Sequence, residues 1–173
     1  TPITVGRPKS IALVRAVEAS DGLLGAVLQI DSSVENPQPK DMHKIGTSAR
    51  ILKILEMPNG NLTVILNGLE KIEVGEYIST QPYFRATVTP IKDSTPDPNS
   101  AEFTAIVDSI KEVALHIINI SPAMPKEAAF AIKNLDSNRA IINFICSNME
   151  LTDDDRQQLL ESPGLLARSR RLL

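Results

Sequence analysis

The chain contains no tryptophan, two tyrosines and four phenylalanines, so aromatics make up 3% of it. Hydrophobic residues nevertheless reach 42%. A core must therefore be built from Ile, Leu, Val and Ala. Cysteine occurs once, at Cys146, which excludes an internal disulfide and a thiolate metal site. Cys146 lies between Ile145 and Ser147 in an apolar, helical stretch and reads as an inert buried thiol rather than a nucleophile. Such cysteine usage points to the cytoplasm. There are two histidines, His43 and His116, with neither H-E-x-x-H nor a paired His/carboxylate spacing for zinc. No apolar run reaches the length of a membrane span, and no signal-peptide pattern opens the sequence. An excess of positive charge is also missing. Eighteen Lys and Arg face 21 Asp and Glu, for a net charge of −3, which argues against general nucleic-acid binding. Thr1 is not methionine, so the chain is expected to be a piece of a longer polypeptide.

Glycine is sparse, at eight residues, and this bears on the opening stretch TVGRPKSI. A phosphate-binding loop needs G-x-x-x-x-G-K-[ST]. Here Lys9-Ser10 follows Pro8, which has no N–H to offer a phosphate, and Gly6 is too close to wrap one. The segment instead predicts a turn at Gly6 and a helix with Pro8 in its first turn. Lys9 and Ser10 are adjacent on that helix, so their side chains diverge and cannot form a catalytic pair.

The 173 residues allow one large domain or two small ones. The first half reads as strands with one early helix over 8–20, stopped at Asp21-Gly22. Residues 23–30 are strand-like, and 32–41 form a polar loop with Pro37 and Pro39. Residues 48–56 and 62–67 are β-rich and flank Pro58-Asn59-Gly60-Asn61. Asn-Gly between apolar runs predicts a hairpin, since both residues tolerate positive φ. Simple alternation puts Ile51 and Leu55 on one face and Leu52 and Ile54 on the other. Apolar residues on both faces predict a closed or doubly covered sheet. Asn67-Gly68 then predicts a bulge or bend before 69–74. A further strand is expected over 83–91, with Phe84, Ala86 and Val88 on one face.

The polar segment 93–100, with Pro96 and Pro98, is the natural boundary between a β-rich part, 1–92, and a helical part, 101–173. In the helical part Phe103, Ile106, Ile110, Val113 and Ile117 follow helical spacing, and residues 121–125, SPAMP, end that helix. Further helices are expected over 126–134, after Asp136-Ser137, after Thr152 as N-cap and after Ser162-Pro163. Asp153, Asp154 and Asp155 read as first-turn acids rather than a cation site.

The segments PITVGRPKSI and IGTSARILKILEMPNGNLTVILNGLEKIEV, followed by a polar linker and a helical half, together resemble the amino-terminal domain of the Lon family of ATP-dependent proteases. The likeness covers nearly the whole chain, and its most specific piece is the hairpin followed by VILNGLEKIEV. The family's opening strand, ahead of PITVGR, is missing. The resemblance implies an α+β fold: an N-terminal PUA-like β-barrel or sheet with one early helix, then a C-terminal helical bundle. It implies no catalysis by this segment and no cofactor within it. ATP, Mg and a Ser-Lys peptidase dyad would belong to other domains of the parent. The implied partners are unfolded or damaged proteins and the other subunits of a homo-hexamer, with no membrane role.

Binding to unfolded protein needs exposed apolar surface with polar groups around it. Two places offer that combination: the hairpin tip at Met57 and Pro58, and the start at Pro2 and Ile3 beside Arg7 and Lys9. A strand edge could also accept an extended chain. Two other readings stay open. Tyr77, Tyr83, Phe84 and Arg85 form the one aromatic cluster that could serve RNA. The long helix over 101–120, apolar on more than one stripe, could hold subunits together. Arg168, Arg170 and Arg171 read as cations at a helix end, or as a contact to a neighbouring subunit.

Overall fold

The computed structural model describes residues 1–97, 100–121, 125 and 127–173. Pro98 in the boundary segment, Pro122 to Met124 at the expected helix end and Lys126 at the next expected helix start lie outside the described residues. The chain forms two compact units, Thr1–Lys92 and Asp93–Leu173.

The first unit holds β1 (Pro2–Val5), α1 (Pro8–Glu18), β2 (Leu23–Ala26), β3 (Ile45–Glu56), β4 (Leu62–Ser79) and β5 (Arg85–Ile91). All pairings are antiparallel, in the order β1-β4-β3-β2, with β5 also on β4. β1 pairs with the first residues of β4 and β5 with the last, so the two share one side of that strand. The barrel implied by the resemblance does not close. β2 is four residues long and pairs with β3, and no described strand joins its outer edge to β1 or β5.

Local chemistry accounts for these elements. Pro8 opens α1, where its missing N–H costs nothing. Gly22, at φ 75°, closes it by donating to the Val17 carbonyl. The hairpin uses one positive φ where two were expected. The Gly60 amide donates to the Met57 carbonyl, and Gly60 alone of the tip residues takes a positive φ, 82°. Asn59 stays in the ordinary region and instead accepts from the Asn61 amide through its side chain at 3.1 Å.

Two bulges decide which residues face the core. In β3 the register steps from Ile51↔Leu66 to Lys53↔Ile65, leaving Leu52 extra. The alternation therefore shifts by one. Ile51 and Ile54 both pack on the core with Val5, Val14, Ala49, Leu62, Val64 and Leu66, while Leu52 and Leu55 face out. This corrects the face assignment that simple alternation predicts. In β4 the register steps past Leu69, just after Asn67-Gly68, where a bulge is expected. Beyond it Ile72 and Val74 are buried, on the opposite face. Ile72 pairs with Gly46, three residues from the inward Ala49. A Cβ on the outward Gly25 would stand 3.3 Å from the Ile72 side chain.

The second unit holds α2 (Ala101–Ile120), α3 (Glu127–Asn134), α4 (Asn138–Asn148), α5 (Asp153–Glu161) and α6 (Leu165–Leu172). Ser100, Ser137 and Thr152 cap α2, α4 and α5 by accepting backbone N–H groups. α2 packs against α3, α4 and α6, and α5 against α6. The α2 residues Phe103, Val107, Ile110 and Ile118 join Ile132, Ile141, Ile142, Ile145 and Leu165 in one core. Val113 and Ile117, expected on the buried stripe, are exposed.

Arg168 is buried, contrary to its reading as a helix-end surface cation. It donates to Asp93 at 2.6 Å, to the Leu159 carbonyl at 3.2 Å and to Asn143 at 3.3 Å. Asp93 also faces Arg139 at 3.7 Å. Arg170 pairs with Glu102 and Arg171 with Gln158 at the surface. Arg168→Met would leave a carboxylate largely buried without its closest partner. It is expected to destabilise the second unit by about 3–5 kcal/mol, whereas Arg170→Met should cost below about 1 kcal/mol. Urea unfolding of both variants checks this contrast.

Candidate functional site

The register on β4 places the candidate residues. Thr1 exchanges both backbone hydrogen bonds with Leu66, at 2.7 and 2.8 Å. Ile3 pairs with Val64 and Val5 with Leu62, on the side that α1 covers. Pro2 pairs with Ile65 and Thr4 with Thr63, on the outer side. So the adjacent residues Pro2 and Ile3 serve opposite faces, and Ile3 sits at the rim of the core side.

On the outer side β3 contributes Lys53 opposite Ile65 and Leu55 opposite Thr63. Met57 follows Leu55 by two residues, and Leu52 stands in the bulge. Leu52 is 62% exposed, Leu55 41% and Met57 44%. Pro58 is exposed at the turn. The fold thus brings Pro2 and Met57 to one surface and adds Leu52, Leu55 and Ile65 to it. The sequence signal for Leu52 and Leu55 was the run of apolar residues on both faces of β3. That run predicts a covered sheet, but in this half the outer side is open.

Arg7 and Lys9 have other partners. The Arg7 guanidinium donates to Gln29 Oε1 at 2.9 Å, and Gln29 Nε2 in turn holds the carbonyls of Asp31 and Val34. Lys9 is half-buried, with its ammonium 5.2 Å from the centre of the Phe84 ring. Tyr77 meets Phe84 edge-on at 5.7 Å, and burial raises the Tyr77 phenol above its ordinary pKa. The aromatic pair is therefore occupied internally.

The whole chain, residues 1–173, matches the family described as the ATP-dependent protease La (LON) substrate-binding domain. This chain belongs to that family. It is 48% identical over 168 residues to the Lon protease of Flavobacterium johnsoniae, covering 97% of the chain and 21% of that relative. It is 37% identical over 172 residues to the Lon protease of Cytophaga hutchinsonii, covering 99% of the chain and 21% of that relative. The chain thus spans about a fifth of the length of these relatives. Among solved structures it resembles the N-terminal domain of Mycobacterium avium complex Lon protease, with a TM-score of 0.78 and 19% identity over 99% of this chain and 87% of that one. A Lon N-terminal domain protein from Xanthomonas campestris gives a TM-score of 0.63 and 16% identity, over 99% of this chain and 85% of that one. At such identities the likeness is one of fold.

The Lon domain carries a second apolar feature, in its helical unit. A cleft of about 90 Å³ is lined by α2, α3, α4 and α6, with Val113, Ile117, Ile132, Phe144 and Leu172 among its walls. Cys146 is half-buried on α4. Burial pushes its thiol pKa up, and the nearby Arg168 charge pulls only partly the other way, which disfavours the reactive thiolate. Among the described residues no group of three or more His, Cys, Asp and Glu could hold a metal ion. No described helix is long and apolar enough to cross a membrane.

The Lys9–Phe84 contact gives a prediction. A double-mutant cycle with Lys9→Gln and Phe84→Leu is expected to return a coupling of about 0.5–1 kcal/mol in thermal or urea unfolding. A coupling of zero would mean that Lys9 is solvated.

Proposed function

We propose that this Lon domain recognises and holds unfolded or damaged polypeptide on the outer side of its sheet. The parent would be a cytoplasmic, ATP-dependent serine endopeptidase. Its Ser-Lys dyad, ATP and Mg would reside in domains outside this sequence. One observation carries the reading: Leu52, Leu55 and Met57 stay exposed beside Pro2 and Ile65, in a chain whose family is described as substrate-binding. Aliphatic side chains left open in a cluster favour transient contact with other apolar chains, and a flexible methionine adapts to varied ones. Of the residues expected at this site, Pro2, Met57 and Pro58 support the reading most directly. Ile3 lies on the core side, and Arg7 and Lys9 are engaged by Gln29 and Phe84.

A supporting role in homo-hexamer assembly is the second reading. It is favoured by the exposed apolar residues Val113, Ile117, Ile120 and Phe130 on α2 and α3. RNA binding is disfavoured, because Phe84 is already engaged by Lys9 and Tyr77 and so offers no free stacking platform.

The test is capture of a reduced, alkylated model protein by the immobilised chain, against the folded form of the same protein. Enrichment of the unfolded form is expected, without hydrolysis of ATP or peptide. Leu55→Ser combined with Met57→Ser should weaken capture by about tenfold, since each lost apolar contact is worth on the order of 1 kcal/mol. Equal retention of folded and unfolded protein would sink the proposal.

A further inference from the structure

Resting on that reading, we propose that the Lon domain grips its polypeptide through apolar side chains on the outer sheet face and is built to refuse strand addition along β1, β5 and β2. The reason lies in which backbone groups face outward on β1, β5 and β2.

On β1, Thr1 bonds to Leu66 in both directions. In an antiparallel ladder the next residues facing β4 are Ile3 and Val5. Pro2 and Thr4 are left facing away. Proline has no N–H, so the outer edge of β1 keeps Thr4 as its donor among the described strand residues. β5 repeats the device. The Val74 amide donates to the Lys44 carbonyl at 2.7 Å and so faces β3. Lys71 and Glu73 then face β5, and their partners Ile91 and Thr89 face back. Pro90, between them, points out.

On β2 a side chain does the same work. Ile51 donates to the Gly22 carbonyl, so Leu24 and Ala26 face β3 while Leu23 and Gly25 face out. The Leu23 amide is taken by Asp21 Oδ1 at 3.1 Å. β1, β5 and β2 thus each lose a donor that an incoming strand would need, by the means with which sheets suppress edge pairing.

What remains open is the outer face. By the register its positions in the hairpin half include Pro2, Leu52, Leu55, Met57 and Ile65, with Arg50 and Lys53 as cations among them. This composition fits a segment rich in Leu, Ile or Phe side chains with a neighbouring carboxylate, and disfavours one flanked by Lys or Arg.

The test uses fluorescent peptides with leucine at alternate positions and an adjacent aspartate, titrated against the chain. N-methylation of alternate backbone amides blocks strand pairing and keeps the side chains. Binding is expected to hold within about twofold on N-methylation and to fall about tenfold or more when the leucines become serine. Replacing the aspartate by lysine should weaken it several-fold, and Lys53→Glu should reduce that preference. The double variant Pro2→Thr, Pro90→Thr restores two outward donors and is expected to acquire sensitivity to N-methylation. Loss of wild-type binding on N-methylation alone would overturn the inference and leave substrate capture standing. No binding of either peptide would overturn both.

Discussion

The β unit depends on one hydrogen-bonded strand. β4 runs for 18 residues and gives partners to β1, β3 and β5. A strand that long cannot bury one face throughout, because its two halves meet different neighbours. The slip at Leu69 resolves this. Before it, Leu62, Val64 and Leu66 pack toward α1. After it, Ile72 and Val74 turn to the other face, near Gly25 and Gly46. A Cβ on Gly46 would stand 2.4 Å from the Ala26 carbonyl, so glycine is what lets that second packing close. One extra residue in a ladder thus divides the sheet into halves that bury opposite sides. The outer side near the hairpin is left without a cover, and that is where the candidate site lies.

The helical unit is organised by a charge. Arg168 lies among α4, α5 and α6 and gathers Asp93, Asn143 and the Leu159 carbonyl of α5. The backbone follows the same path: the Ser94 amide donates to the Pro163 carbonyl, and the Leu165 amide to the Ser94 carbonyl. A buried guanidinium is tolerated because several acceptors replace its water. This network sets where the unit begins, one residue after β5 and Lys92 leave the first unit.

Both arrangements suit binding without chemistry. Holding varied chains calls for an apolar surface that tolerates different side chains and lacks competing reactive groups. The outer sheet face has that character. In the reading proposed above, the donors lost on β1, β5 and β2 would direct recognition away from backbone pairing, which would be indifferent to sequence and would invite self-association.

Much of the architecture was legible in the sequence. Pro8 and Gly22 at the ends of α1, Asn59-Gly60 at the hairpin, and Ser137 and Thr152 at the helix starts act within a few residues of themselves, so local physics suffices to read them. Pro2 and Met57 were legible as candidates because apolar residues near a turn or chain start are conspicuous. The rest depended on contacts between distant residues. A bulge is defined by its partner strand, so the extra residue at Leu52 could not be placed from alternation alone, and Ile54 and Leu55 exchanged faces. Arg168 looked like its neighbours Arg170 and Arg171 until Asp93, 75 residues earlier, came within hydrogen-bonding distance. Barrel closure failed for a similar reason, since it requires an edge of β2 to find a strand that the rest of the sheet does not supply. Sequence determined the elements, their ends and the absence of reactive motifs. Tertiary structure decided which apolar residues stay in water, because exposure belongs to the register between strands and to the neighbours that each face acquires.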